Sequence, residues 1–413
     1  MIGPRRPIPP IPALFARIQI VSRVLVTDGE QRSSLAVVRS LGRAGHDVVV
    51  VSHHPRPLCA ASRYVDAFHR VPDPTLDPAA FRDGVKGVVE AEHVGILIPM
   101  TDVTIPLLLD LRAEIPELVI PFPDQDVYEA ISDKGLLMEV ARGLGVPVPR
   151  QEVLRAAPSR DVTFQMPAVL KPARSAVRAG GGMRKQGVRM ADTVAEATAA
   201  LAGYGAEAYP ILMQERIVGP GLGLFVLARN GEVLASFAHR RIREKPPTGG
   251  VSVYRESVGA RPDLVEHAVR IMAHYRWTGV AMVEFKEDRS TGTPYLMEVN
   301  GRFWGSLQLA VDAGVDFPEL LVRVAEGKDV PPIPGYRIGV RSRWLWGDVD
   351  HLLSVLRGPK GLRETHPELP TALGAVARFL VPWRPGDRFE VLRPDDPRPF
   401  LRESAEWFRA LRK

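Results

Sequence analysis

One stretch, VAMVEFKEDRSTGTPYLMEVNGRFWG at residues 280–305, constrains the fold more than any other. Two mainly apolar runs, 280–286 and 294–300, flank a polar turn containing Gly292, which is the pattern of a β-hairpin. Side chains alternate between the faces of a strand, so Glu298 and Asn300 share one face. With the turn centred on Thr291, Glu284 lies directly opposite Glu298. Facing carboxylates destabilise a strand pair unless a proton or a cation separates them. Two carboxylates and an amide oxygen are hard ligands that suit Mg²⁺, with Mn²⁺ as a substitute. Arg302 follows closely and can grip phosphate oxygens in a fork. The alternative is a surface hairpin with solvated acids. The large apolar neighbours Val283, Phe285, Met297 and Val299 argue against it.

The 413 residues are enough for two to four domains, and 45% hydrophobic with 25% charged residues is ordinary for a soluble enzyme. The single cysteine, Cys59, cannot form an internal disulfide, which fits a reducing cytoplasm. The first residues lack a long apolar run and a small-residue cleavage site and read as a flexible extension over 1–22. No run is long enough to span a membrane. The formal charge of +6 comes from scattered arginines. A nucleic-acid binder would instead gather its basic residues with aromatics in a patch. Anionic small molecules are the better match, and nucleic acid and membrane are not expected as partners.

Along the chain, RVLVT at 23–27, a helix over 33–44 ended by Gly45, and HDVVVVS make a strand–helix–strand unit. That order predicts a Rossmann-like parallel sheet, with a further strand at 95–100. Asp28, Gly29, Ser33, Thr101 and Asp102 fall beyond the strand ends, where such sheets bind ligands or where helices are capped. No G-x-G-x-x-G follows the first strand, so a nicotinamide cofactor is not expected. A helix begun at Asp124 or Asp126 is expected to run on through Asp133 and Lys134, with a second helix ending at Gly143 or Gly145. MPAVLK at 166–171 reads as a buried strand ending in Lys171, followed by a basic loop at 174–187 with Gly180, Gly181 and Gly182. Such a loop is either merely flexible or a flap that wraps an anion with backbone N–H groups. Strand 209–218, a hairpin turning at Asn230–Gly231, a loop at 245–257, a helix at 262–275 and two helices broken near Gly314 complete the reading. His239 reads as a core residue.

Taken together, these motifs resemble the ATP-grasp superfamily of ligases, most closely the branch similar to the large subunit of carbamoyl-phosphate synthase, over residues 23–330. The resemblance implies α/β and α+β architecture. An N-terminal Rossmann-like parallel sheet (23–122) would precede a two-lobed ATP-grasp fold (123–205 and 206–330) and a C-terminal extension (331–413). It implies ATP and Mg²⁺ as cofactors. By that resemblance Lys134 and Lys171 contact phosphates, the Gly180–Gly182 loop covers them, and Glu215 and Ile217 meet the adenine edge. Glu284, Glu298 and Asn300 would hold the metal, with Arg302 beside the transferred phosphate. The acidic residue that holds ribose in many relatives is missing near Leu222.

The expected chemistry joins a carboxylate to an amine or another nucleophile through an acyl phosphate. The alternatives are a phosphotransferase or carboxyphosphate-forming enzyme, and a nucleotide-binding protein without turnover. Candidate substrate contacts are Arg240, Arg241 and Arg243, the 248–250 loop, and Arg341 and Arg343 beside Trp344 and Trp346. Surface salt bridges and core packing explain the same residues equally simply. The expected partners are small molecules and a second copy of the chain.

Overall fold

A computed structural model describes residues 22–157, 162–174, 176–179, 182–185, 187–331, 333, 335–358, 369–380 and 386–412. Of the extension expected at 1–22, residues 1–21 lie outside them. The N-terminal unit is a parallel sheet of β1 (Arg23–Val26), β2 (Asp47–Ser52), β3 (Ala67–Arg70) and β4 (Ile96–Ile98), in the order β3-β2-β1-β4. The centres of β1 and β2 are fully buried and wholly apolar, as strands covered on both faces must be. The helix Arg32–Ala44 between them stops at Gly45, whose φ of 89° suits a residue without Cβ. Strand β3 was not anticipated. Its residues are half-buried or exposed and two of the four, His69 and Arg70, are polar.

The second sheet has β5 (Gln151–Leu154), β6 (Ala168–Pro172), β9 (Arg189–Ala191) and β10 (Ile211–Glu215), in the order β5-β10-β6-β9 and antiparallel throughout. The expected boundary at 205/206 falls inside this unit, because β10 is one of its inner strands. The segment expected as a loop contains a two-stranded hairpin, β7 (Ala176–Ala179) with β8 (Gly182–Lys185). Gly182 opens β8, while Gly180 and Gly181 lie outside the described residues.

The third sheet has seven strands: β11 (Gly221–Arg229), β12 (Glu232–Lys245), β13 (Val251–Val258), β14 (Gly279–Glu287), β15 (Pro294–Asn300), β16 (Arg341–Arg343) and β17 (Asp387–Phe389). Their order is β15-β14-β11-β12-β13-β16-β17. Asn230 and Gly231 take positive φ at the β11–β12 turn, as a tight hairpin needs. Most of the loop expected at 245–257 is instead strand β13, and the glycines at 249 and 250 lie in the β12–β13 turn. The segment after 331 is not a separate appendage, since β16 and β17 extend this sheet.

The same C-terminal segment straps the parallel sheet to the large one. Arg39, fully buried in the first helix, donates from Nε to Asp396 at 2.9 Å and from its Nη atoms to the carbonyls of Glu390, Val391 and Asp396. Ser62 Oγ donates to the same Asp396 carboxylate at 2.7 Å. Glu390 in turn accepts from Arg32 at 2.7 Å and from Arg255 of β13. Removing one partner of a buried ion pair strands the other charge. Asp396→Ala should therefore lower the free energy of unfolding by about 3–5 kcal/mol, read from urea denaturation. Unchanged stability would show that the strap does not tie the two units.

Candidate active site on the β14–β15 hairpin

The hairpin pairs as its sequence symmetry requires: Glu284 faces Glu298, with Met282 facing Asn300. A bulge follows, so Phe285 pairs with Leu296 and Met297 is the extra residue. Val283, Phe285, Leu296 and Val299 are buried, while Glu284, Glu298 and Asn300 are half-buried on the other face. The Asn300 amide nitrogen lies 3.2 Å from Glu284 Oε1 and 3.1 Å from Glu298 Oε1, bridging the two carboxylates. Burial, together with the charge of Glu298, raises the Glu284 carboxyl above its usual range. Burial also opposes ionisation of Glu298, but Lys134, Asn300 and Lys171 outweigh it and hold that group below the usual range.

Both candidate lysines reach this face. Lys171, at the end of β6, is buried, and its ammonium donates to the Met297 carbonyl in the bulge at 3.2 Å. Burial lowers it to about 8. Lys134 Nζ lies 3.3 Å from Glu298 Oε2. The helix expected to run through Lys134 instead ends at Ser132. Asp133 then caps a new helix, accepting from the N–H groups of Gly135 and Leu136 at 2.9 and 3.1 Å. This break puts Lys134 in the first turn of a helix, where an anion is favoured. Its own N–H donates to the Ala173 carbonyl just beyond β6, which keeps the two lysines together.

Two glycines make the arrangement possible. A Cβ on Gly301 would sit 2.4 Å from the Trp277 ring and 3.2 Å from Tyr128, so no side chain fits between Asn300 and Arg302. A Cβ on Gly219 would lie 1.8 Å from the Glu287 carbonyl, where the chain crosses the hairpin after β10. Just before that crossing, Ile217 is buried and the Glu215 carboxylate accepts from Arg150 Nε at 2.9 Å.

Arg302 donates from Nε to Asp102 at 2.9 Å and from Nη2 to the Asn300 oxygen at 3.3 Å. A cavity of about 670 Å³ adjoins, lined among others by Asp102, Tyr128, Glu129, Lys134, Glu298 and Asn300. Asp28 sits nearby, accepting from Thr104 at 2.7 Å and Thr101 at 3.2 Å. The sequence pointed to Asp102 and Asp28 only as strand-end residues, and the partner of Arg302, 200 residues away, left no local signal.

The candidate substrate arginines separate. Arg241 reaches the site, 3.4 Å from Glu284. Arg243 and Arg343 both bind the buried Asp348 at 2.5 Å. Arg240 and Arg341 both bind Glu256. These four are committed to structural ion pairs because β13 brings Glu256, and the helix Leu345–Arg357 brings Asp348, alongside them. Trp346 stacks on Trp407 with ring centroids 4.2 Å apart. His239 is a core residue, stacked on Phe225 and 2.7 Å from Ser306 Oγ, with burial pushing its pKa well down.

A four-stranded antiparallel lobe and a larger, mainly antiparallel sheet, after an N-terminal parallel sheet, make up the ATP-grasp fold, which the chain shares with solved structures. Residues 207–346, about a third of the chain, match the family described as ATP-grasp in the biosynthetic pathway with Ter operon. Among solved structures, the chain is similar to an L-amino acid ligase from Bacillus licheniformis, with 16% identity over 74% of each chain and a TM-score of 0.57. It is similar to N5-carboxyaminoimidazole synthetase from Staphylococcus aureus, with 15% identity, coverage of 84% of this chain and 87% of that one, and a TM-score of 0.60. It also resembles a Campylobacter jejuni biotin carboxylase in complex with β,γ-ATP, with 17% identity, coverage of 78% and 74%, and a TM-score of 0.58. No curated protein matches the sequence. Among the described residues no helix is long and apolar enough to cross a membrane.

The donor set fits a hard divalent cation that retains water and substrate oxygens. It offers two carboxylates and an amide, and among the described residues no group of three or more His, Cys, Asp or Glu competes with it. Gly301→Ala should leave the protein folded yet displace Asn300 and Arg302, cutting Mg²⁺-dependent nucleotide affinity at least tenfold, read by calorimetry. Burial pushes the Asp28 carboxyl from 3.8 up to about 6, with Glu30 adding to the shift and the threonine hydroxyls opposing it. A carboxyl raised on folding favours the folded state below its unfolded pKa, and that contribution is lost as pH rises through the folded value. Unfolding free energy should therefore fall by up to about 3 kcal/mol from this group between pH 4 and 6. Asp28→Asn should flatten that slope in urea titrations.

Proposed function

We propose that the chain is an ATP- and Mg²⁺-dependent ligase. It activates a carboxylate as an acyl phosphate for attack by an amine or other nucleophile and releases ADP and phosphate. The observation that carries this reading is the opposed Glu284–Glu298 pair, bridged by Asn300 and within reach of Lys134 and Lys171. The similar ligases and carboxylases named above support it as relatives in fold.

A carboxylate is a poor acyl donor because its leaving group would be oxide. Its oxygen attacks the γ-phosphorus of ATP, the bond from phosphorus to the ADP oxygen breaks, and the acyl carbon then carries phosphate as a good leaving group. The amine nitrogen attacks that carbon, the carbon–oxygen bond to phosphate breaks, and the nitrogen loses a proton. Glu284, Glu298 and the amide oxygen of Asn300 would hold Mg²⁺, which when bound neutralises and orients the phosphate oxygens. Lys171 and Lys134 spread the transferring charge, and Arg302 faces the terminal phosphate. The β7–β8 hairpin covers the phosphates and keeps water from the acyl phosphate. Glu215 and Ile217 border the adenine. The ribose lacks the usual acid near Leu222.

The cavity next to the hairpin is the place for the nucleophile. It is lined by the carboxylates of Asp102, Glu129, Asp133, Glu207 and Glu298 against the cations Lys134 and Arg174. That balance favours an amine that enters as its ammonium ion over a second anion, and the ammonium releases one proton before its nitrogen attacks the acyl carbon. A carboxyphosphate-forming reaction is the second reading, since one similar structure, a 2-oxoglutarate carboxylase domain from Hydrogenobacter thermophilus, is described with MgADP and bicarbonate. Phosphate release from ATP across a panel of carboxylates, with and without amines and with bicarbonate alone, separates the two. Amine-dependent ADP and phosphate support the ligase, and bicarbonate-only release supports the second reading. AMP and pyrophosphate would overturn both. Glu298→Ala should abolish Mg²⁺-dependent turnover, at least a thousandfold in kcat, with the fold intact by circular dichroism.

A further inference from the structure

The guanidinium of Arg302 is held on three sides. Nε donates to Asp102 Oδ2 at 2.9 Å, Nη1 to the Phe303 carbonyl at 3.1 Å and Nη2 to the Asn300 amide oxygen at 3.3 Å. The second and third partners are neighbours in sequence. Asp102 is different, because it stands 200 residues away on the loop after β4, in the parallel-sheet unit. Its other oxygen faces Tyr128 Oη at 3.5 Å. The Tyr128 ring lies 6.4 Å from that of Trp277, and those two rings are what deny Gly301 a side chain. The parallel sheet, the helix Gln125–Ser132 and the metal hairpin thus converge on a single arginine.

An arginine side chain is long and gains little from a phosphate unless its plane is already set. The Nε–H bond lies in that plane, so a carboxylate on Nε fixes the orientation of the whole fork while leaving other N–H donors for an anion. We propose that Asp102 is a positioning residue: it orients Arg302 so that the remaining donors meet the terminal phosphate of the nucleotide. The parallel-sheet unit thereby completes the nucleotide site without itself touching the nucleotide. The inference rests on the nucleotide site proposed above but not on ligase turnover.

The sign of the effect separates positioning from simple charge. Deleting a carboxylate near an anion would, by charge alone, tighten anion binding. Loss of positioning weakens it. The test is calorimetric binding of β,γ-methylene ATP and of ADP, both with Mg²⁺, to the unaltered protein, Asp102→Asn, Asp102→Ala, Arg302→Ala and the Asp102→Ala/Arg302→Ala double variant. Asp102→Ala is expected to reduce the preference for the triphosphate over ADP about tenfold, about 1.4 kcal/mol. Asp102→Asn, which keeps an acceptor for Nε, should lose less. Arg302→Ala should lose at least as much as Asp102→Ala, and the double variant should lose no more than Arg302→Ala alone. Tighter triphosphate binding in Asp102→Ala, or a loss that multiplies in the double variant, would overturn the assignment while leaving the nucleotide site intact. Absence of nucleotide binding by the unaltered protein would instead overturn the proposed function, and this inference with it.

Discussion

Two carboxylates facing each other across a hairpin form the constraint on which the site depends. Glu284 and Glu298 are cross-strand neighbours on a half-buried face, where like charges repel and water only partly screens them. The fold answers with cations. Lys134 lies against Glu298 and Arg241 against Glu284, Lys171 is anchored one residue away on Met297, and the Asn300 amide spans the pair. What remains is a pair of opposite shifts, with Glu284 pushed up and Glu298 pulled down, which a divalent cation between them would relieve.

The rest of the molecule places groups around this pair. The break between two helices falls at Asp133, before Lys134 and not after it, and so places that lysine in the first turn of a helix beside the hairpin. The bulge at Met297 offers a backbone carbonyl to Lys171. Gly219 and Gly301 allow backbone to pass where a Cβ would collide. The buried Arg39–Asp396 pair holds the parallel sheet to the large sheet, so the loop carrying Asp102 stays beside Arg302.

The parts legible in the sequence were those specified by short-range pattern. Alternation and the turn residues gave the opposition of Glu284 and Glu298, but not the bulge at Met297 that shifts the pairing by one residue on the turn side. The apolar runs of β1 and β2, and the glycines at 45, 231 and 314, marked element ends that the structure keeps. Strand β13 was hidden because its charged Arg255 and Glu256 are buried, an arrangement that makes sense only once Glu390 and Arg341 arrive from far along the chain. The arginines at 240, 243, 341 and 343 looked available for substrate for the same reason: Glu256 and Asp348, the acids that engage them, come from other elements. The Asp102–Arg302 contact left no trace at either end.

The central claim is geometric, and a crystal structure of the protein grown with MgADP tests it most directly. The account predicts a metal about 2.1 Å from oxygens of Glu284, Glu298 and Asn300, with the β-phosphate within reach of Lys134 and Lys171. A nucleotide bound on the buried face of the hairpin, or a metal held by other side chains, would contradict it.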